Sequence, residues 1–357
     1  MQTNNQNRTY LLDFSREELT QYIRELGFES YRADQIFKGI YHQLLSDFQP
    51  LSTLSRSLRH QLDHITDLRQ LTLKARVNSS HDNTTKFLWE LNDARFVESV
   101  IIYEGKRITY CISTQVGCAL DCRFCATAKM GFLRNLSAGE IVEQVIQMNN
   151  SEQILPTNVV FMGMGEPLLN RQNVLKAAHL MSDPEGMTIA RKRITISTSG
   201  IVPAIQKLAD SDFPFSLAVS LNAPDDYKRR MLMPVTERFP LKELVESLVY
   251  FYSKTKSRIT FEYVLIAGMN DSREDAENLV KICRRIPSKI NLIPCNSHDP
   301  QFKAPADVQI NRFATYLRDH FCTVTTRLRK GFDIDAACGQ LYTRHAGSKK
   351  PGIVRHK

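Results

Sequence analysis

Gly117-Cys118-Ala119-Leu120-Asp121-Cys122-Arg123-Phe124-Cys125 follows on a strand-like run, ITYCIST at 108–114, and sets three cysteines in a C-x3-C-x2-C spacing. Three thiolates suit soft metals. Three protein ligands on a four-iron four-sulfur cubane leave one iron free to bind something else. Structural zinc normally takes four protein ligands, and its usual spacings are paired C-x2-C units. The triplet is therefore read as Cys118, Cys122 and Cys125 holding one 4Fe-4S cluster, in an enzyme built around it.

Downstream of this loop the chain alternates strand candidates with helical stretches: TNVVFMG at 157–163, RITISTS at 193–199, FSLAVSL at 215–221, ITFEYVLI at 259–266 and SKINLIP at 288–294. With ITYCIST this makes six βα units, too few for a closed eight-stranded barrel. The expected fold is α/β, an open partial (β/α)6 barrel over 104–345, with TVTTRLR at 323–329 as an extra edge strand. In parallel βα folds, active sites form at the C-terminal ends of the strands, which is where the polar motifs gather.

Upstream, residues 1–70 read as a small helical accessory domain. Ser15 and Glu18 form a capping box, and Leu19, Tyr22, Ile23 and Leu26 follow at helical spacing. A second helix begins near Tyr31, with Ile36, Phe37, Ile40, Tyr41 and Leu44 in period, and a short third covers 54–65. Residues 71–103 alternate apolar and polar, suggesting a short antiparallel sheet that links the two parts. Residues 346–357 form a basic tail containing Lys349, Lys350, Arg355 and Lys357.

The 357 residues are 42% hydrophobic, enough for an ordinary core. No apolar run approaches the roughly 18 residues of a membrane span, and the polar N-terminus lacks a signal-peptide pattern. A cytoplasmic protein without a membrane partner is expected. Eight cysteines without a secretion signal favour metal binding or catalysis over a disulfide scaffold. The net charge of +9 creates a field suited to a polyanion, RNA or DNA. The clusters at Arg191-Lys192-Arg193, Lys228-Arg229-Arg230 and Arg284-Arg285 are read as solvated faces.

The triplet at the head of such a barrel resembles the radical S-adenosylmethionine (SAM) superfamily, whose members chelate the methionine end of SAM at the unique iron. Gly163-Met164-Gly165-Glu166-Pro167 closes the second strand, where glycine permits close backbone approach and a carboxylate can accept from an ammonium. The resemblance implies that Gly165 and Glu166 hold the methionine amine. Ser197, the run Ser220-Leu221-Asn222, and Asn296 supply small groups suited to ribose and adenine.

QVGCALDCRFCATAKMGFLRNL at 115–136, MGMGEPLLN at 162–170, ITISTSG at 194–200, MLMPV at 231–235 and GFDIDAACGQL at 331–341 together resemble the RlmN family, over nearly the whole chain. The resemblance implies methylation of adenine C2 in 23S rRNA and in certain tRNAs. It further implies two SAM molecules, a transient disulfide and an electron donor such as flavodoxin. C2 is electron-poor and cannot attack a sulfonium as an ordinary nucleophile, so a radical route is required. In the family, Cys338 matches the cysteine that first takes a methyl group, a task suited to a thiolate. Cys111 matches the cysteine that closes a disulfide with it to release product, and Glu98 the residue that takes a proton from the base. Cys283, Cys295 and Cys322 match no motif and are read as packing residues.

Two other readings compete. A Cfr-like enzyme would use the same cysteines and cluster to methylate C8, and the cluster loop resembles the RlmN version more closely. A noncatalytic RNA-binding protein would use the three cysteines with Cys111 to hold zinc. An RNA substrate would have to present an unstacked adenine to a buried site. The accessory domain and the basic tail are the candidate contact surfaces.

Overall fold

The computed structural model describes residues 8–327 and 330–342, so the basic tail and the last residues of TVTTRLR lie outside the described residues. The chain opens with the two-residue strand β1 (Thr9–Tyr10), then α1 (Arg16–Glu25), α2 (Tyr31–Tyr41), α3 (Arg56–Ile65) and β2 (Thr66–Asp67), which pairs with β1. The capping box is present at α1: Ser15 Oγ accepts from Glu18 N at 3.2 Å and Glu18 Oε2 accepts from Ser15 N at 2.6 Å. Leu19 and Ile23 of α1, with Ile36, Phe37, Ile40 and Tyr41 of α2, are buried. Leu44, expected in the α2 period, lies past the helix end with a positive φ of 55°.

The helices are tied to the rest of the chain by a buried carboxylate. Glu143, on α4 (Ala138–Glu152), accepts from Tyr10 Oη at 2.6 Å, from Gln70 N at 2.8 Å and from Leu71 N at 3.1 Å. Burial raises its pKa, opposed by the Tyr10 hydrogen bond. Glu143→Ala strands these donors, each at about 1–3 kcal/mol. We therefore expect at least about 3 kcal/mol lost in urea unfolding; a loss under about 0.5 kcal/mol would mean water replaces the carboxylate freely.

The body is a ten-stranded mixed sheet. Its strands are β3 (Leu71–Asn78), β4 (Thr85–Leu91), β5 (Phe96–Glu104), β6 (Arg107–Cys111), β9 (Asn158–Phe161), β10 (Ile194–Thr198), β11 (Ser216–Ser220), β12 (Ile259–Leu265), β13 (Ser288–Pro294) and β14 (Thr323–Thr326). A separate hairpin joins β7 (Gln115–Gly117) to β8 (Phe132–Asn135). The order is β14-β13-β12-β11-β10-β9-β6-β5-β4-β3, with β6 and β9 through β14 parallel. Helices α4, α5 (Arg171–Ser182), α6 (Val202–Ala209), α7 (Asp226–Leu232) with α8 (Leu241–Thr255), α9 (Arg273–Arg285) and α10 (Asp307–Asp319) make the six crossovers. β3 and β14 stand at opposite ends of the order, so the sheet is open, as expected for a partial barrel with an extra edge strand.

The antiparallel strands expected over 71–103 extend this same sheet, because β5 pairs with β6 over Val100–Glu104 against Cys111–Arg107. A polar knot fixes this junction: Trp89 Nε1 donates to Ser99 Oγ at 3.1 Å, Ser99 Oγ donates to Gln144 Oε1 at 2.6 Å, and Gln144 Oε1 also accepts from Ser113 N at 2.9 Å. Every member is buried and paired, so the knot orients the chain two residues after Cys111.

Candidate functional site

The cluster loop leaves β7 through Gly117, at a φ of +75°. A Cβ there would stand 1.7 Å from the Gly131 carbonyl oxygen, so only glycine lets the β7–β8 hairpin close. Backbone bonds then shape the loop: Cys118 N donates to Gly131 O at 3.0 Å, Cys125 N to Cys122 O at 3.0 Å, and Arg123 N to Leu232 O at 3.0 Å. Cys118, Cys122 and Cys125 all face one open cavity at the C-terminal rim of the parallel strands.

Burial pushes the Cys118 thiol up to about 12, and Cys122 and Cys125 are also raised, chiefly by burial. Mutual repulsion adds to the effect on Cys118 and Cys122. Three thiolates there need a cationic partner. Three spaced thiols suit a multi-iron cluster better than one zinc ion.

The GMGEP turn ends β9 on the same rim. Gly165 has a φ of +101°, and a Cβ would stand 2.5 Å from Gln115. Glu166 lines the cavity, and its oxygens accept from Ser199 N at 2.8 Å and Leu168 N at 3.0 Å. A carboxylate has lone pairs left for an ammonium. Ser197, Ser220, Asn222 and Asn296 also line the cavity. Asn296 is the most telling of them: its Oδ1 is buried without a hydrogen-bond partner, although such groups are nearly always paired. It is an acceptor suited to a ligand's donor.

Asn222 is engaged by the protein itself, its Oδ1 accepting from Val264 N at 2.9 Å. Leu221 does not line the cavity. Its side chain is buried in the core and its carbonyl accepts from Arg229 Nε at 3.1 Å.

Cys111, the last residue of β6, and Cys338 line this cavity with the cluster cysteines. Burial pushes the Cys111 thiol up to about 12, the neighbouring Cys338 adds to this, and Arg327 opposes it. Arg327 Nη1 donates to Cys338 Sγ at 3.3 Å, and Arg327 N donates to Leu292 O at 2.8 Å. The segment carrying Cys338 is held from two sides. Asp82 Oδ2 accepts from Gly331 N at 2.9 Å, and Asp333 accepts from Ser79 Oγ at 2.7 Å and Ser80 N at 2.8 Å. On the cluster side, Ala126 N donates to Gly339 O at 2.7 Å and Thr127 Oγ1 to Leu341 O at 2.7 Å.

Glu98 belongs to this clamp. It is buried on β5 and does not line the cavity: Oε1 pairs with Lys86 at 3.1 Å and Oε2 accepts from Tyr342 N at 2.8 Å. Burial raises its pKa, opposed by Lys86.

Three site residues escaped sequence reasoning. Arg327 sat at the end of an edge-strand pattern. Glu262, inside β12, lines the cavity, accepts from Asn291 Nδ2 at 2.7 Å and is raised in pKa by burial, with Arg327 opposing. Arg229 contradicts the solvated reading of 228–230. It is fully buried, donating to Ser199 O at 2.6 Å and Thr236 Oγ1 at 2.8 Å, while Lys228 pairs with Asp275 at 2.7 Å. Burial pulls its pKa down to about 10, and the nearby Cys122 opposes this, so it is a buried cation beside the cluster loop. The signal was the buried period of α7, where Arg229 and Leu232 are three apart on one face. The faces at 191–193 and 284–285 are exposed as read.

The chain matches the family model of the radical SAM superfamily over residues 112–280, and that of the ribosomal RNA large subunit methyltransferase N-terminal domain over 9–68. It is 44% identical to the dual-specificity RNA methyltransferase RlmN of Geotalea uraniireducens, over 93% of this chain and 96% of that protein. It is also 44% identical to the protein of that name from Syntrophotalea carbinolica, over 94% and 90%. Among solved structures it resembles a radical SAM methyltransferase from Sphaerobacter thermophilus, with a TM-score of 0.89 and 40% identity over 93% of this chain and 99% of that one. No helix among the described residues is long and apolar enough to cross a membrane.

Proposed function

Because the chain belongs to the RlmN family of radical SAM RNA methyltransferases, using a 4Fe-4S cluster and SAM, we propose that it methylates C2 of an adenine in 23S rRNA and in certain tRNAs through a methylated Cys338. Membership in this family sets aside the noncatalytic zinc reading. The observation that carries the proposal is that Cys111, Cys338 and the three cluster cysteines all face one cavity.

When bound, the cluster and SAM supply one-electron chemistry strong enough to take a hydrogen atom from an unactivated methyl group. Cys118, Cys122 and Cys125 would hold the cluster, with Glu166, Ser197, Ser220 and Asn296 around SAM and Gly165 making room for it. Cys338 receives the methyl first: its sulfur forms a bond to the methyl carbon of one SAM as the sulfonium bond breaks. A hydrogen atom passes from that methyl to the adenosyl group of a second SAM, which leaves as deoxyadenosine and methionine, and the methyl carbon bonds to C2. Loss of one electron, which the bound cluster would be suited to accept, and of the C2 proton would restore the aromatic ring.

Glu98 is the proposed acceptor of that proton. Its raised pKa suits the role, which requires Tyr342 or Lys86 to yield an oxygen. Cys111 then attacks the Cys338 sulfur, an S–S bond forms, and the carbon leaves with its electron pair and takes a proton. Two electrons from a donor restore the thiols, and an electron donor such as flavodoxin primes the cluster.

Arg327 orients Cys338 through the hydrogen bond from its Nη1 to the sulfur. A hydrogen bond to a charged group is worth about 1.5–3 kcal/mol. Arg327→Met should therefore slow the appearance of labelled methyl on the Cys338 peptide by about 10–100-fold, and an unchanged rate would remove Arg327 from the reaction.

The reading is tested by anaerobic reconstitution with methyl-labelled SAM, reductant, and 23S rRNA fragments or tRNA, followed by nucleoside analysis. 2-Methyladenosine supports it, 8-methyladenosine moves the protein to the Cfr-like reading, and no methylated adenine in either RNA contradicts it.

A further inference from the structure

Cys283 and Cys322 take no part in the chemistry above, and sequence alone made them two unrelated packing residues. Folding joins them. β13 and β14 pair in parallel with Lys289 opposite Thr323, so Cys322, one residue before β14, falls at the level of Ser288, which opens β13. The end of α9 brings Cys283 over the same edge, and the two side chains are neighbours lining one pocket with Arg284, Ser288, His320 and Phe321. This pocket is at the N-terminal rim of the sheet, opposite the rim that carries the cluster loop.

Two further observations set this pair apart from inert core thiols. Both cysteines are only partly buried. Cys322 also follows Phe321, which is 98% exposed and held at a φ of +66°. A bulky residue in the left-handed region costs about 1–3 kcal/mol and persists only where the surroundings impose it. The Cys322 thiol is drawn down to about 7, first by the Cys283 side chain and then by His320 and Arg284, while Cys283 is raised. Partial exposure in an electropositive pocket is the setting of reactive thiols.

We propose that Cys322 and Cys283 form a second thiol–disulfide couple, a modification site for low-molecular-weight disulfides that is separate from Cys111 and Cys338. Cys322 is the attacking thiolate. It forms a mixed disulfide with one half of the small disulfide and releases the other half as a thiol. Cys283 then attacks the Cys322 sulfur, closes the intramolecular bond and releases the second half. Both protein thiol protons end on the two released thiols, and the small disulfide is the oxidant. The bond would join the C-terminal end of α9 to the start of β14, the strand that leads to Arg327.

The test exposes the cluster-loaded protein anaerobically to oxidised glutathione, traps free thiols by alkylation and maps the peptides by mass spectrometry. The expected result is a linked peptide pair containing Cys283 and Cys322 within one chain, reversed by dithiothreitol. In Cys283→Ser, glutathione should remain on Cys322, and in Cys322→Ser, Cys283 should be left unmodified. The proposal is overturned if Cys322 does not react, if glutathione stays on Cys322 in the unaltered protein, or if the linkage joins two chains. Peptides containing Cys111 and Cys338 have different masses in the same digest, so none of these outcomes depends on RNA methylation.

Discussion

Replacing Cys111 by alanine is expected to leave the protein covalently joined to its RNA. In the proposed sequence the methylene carbon bridges Cys338 and C2 until another thiol attacks the Cys338 sulfur, and Cys111 is the buried thiol placed beside it. Cys283 and Cys322 are on the opposite rim and Cys295 is buried in the core with its thiol directed at Phe302 O, so none replaces it. Free methylated RNA should fall by at least about a thousandfold. A denaturing gel should show a protein–RNA band that disappears on nuclease digestion. Release at the original rate, with no such band, would mean that the crosslink is resolved another way or never forms.

Cys338→Ala should lower methylation at least about ten-thousandfold, because the proposed methyl acceptor is gone and Cys111, the other thiol beside it, would have no second thiol to release a product. The cluster loop should survive the change. Its geometry is set by Gly117, the β7–β8 hairpin and backbone bonds, including Ala126 N to Gly339 O, and none of these uses the Cys338 side chain. The variant should therefore hold its brown cluster and still release deoxyadenosine when reduced with SAM, without modifying RNA. A colourless variant would assign Cys338 a structural role instead, and a methylated product would end the methyl-carrier account.

The division of labour has a physical logic. The cluster loop and the residues proposed to surround SAM rest on a parallel sheet whose strands all end on one rim, and such elements hold atoms more precisely than loops do. Cys338 instead rides on a short segment fastened by Asp82, Ser79, Ser80, Lys86 and Glu98 on one side and by Ala126 and Thr127 on the other. In the proposed sequence it meets a methyl donor, a base and Cys111 in turn. A segment held by several separate hydrogen bonds can shift in steps as individual bonds exchange.

What could be read from sequence divides along the same line. The capping box of Ser15 and Glu18, the cysteine triplet and the βα strands are local patterns, and each is where its pattern placed it. The junction of the 71–103 segment with the barrel was hidden, because alternation shows that a strand has two faces but not which strand it pairs with. Arg229 was hidden for a related reason. A run of three basic residues looks solvated, and only the α7 packing turns the middle one inward among carbonyls. Arg327 and Glu262 had no motif at all and became visible through their distance to Cys338 and the cavity. The orphaned Asn296 oxygen and the Cys283–Cys322 pair likewise depend on segments far apart in sequence meeting in space.

The central claim is that the methyl group reaches adenine through Cys338 as a one-carbon unit that has lost a hydrogen. SAM with a trideuterated methyl group tests it most directly, supplied to protein whose Cys338 carries no methyl at the start. The account predicts a methylated adenine whose new methyl retains two deuteriums and carries one hydrogen, with the third deuterium recovered in deoxyadenosine. A product retaining all three deuteriums would show direct methyl transfer and contradict the account.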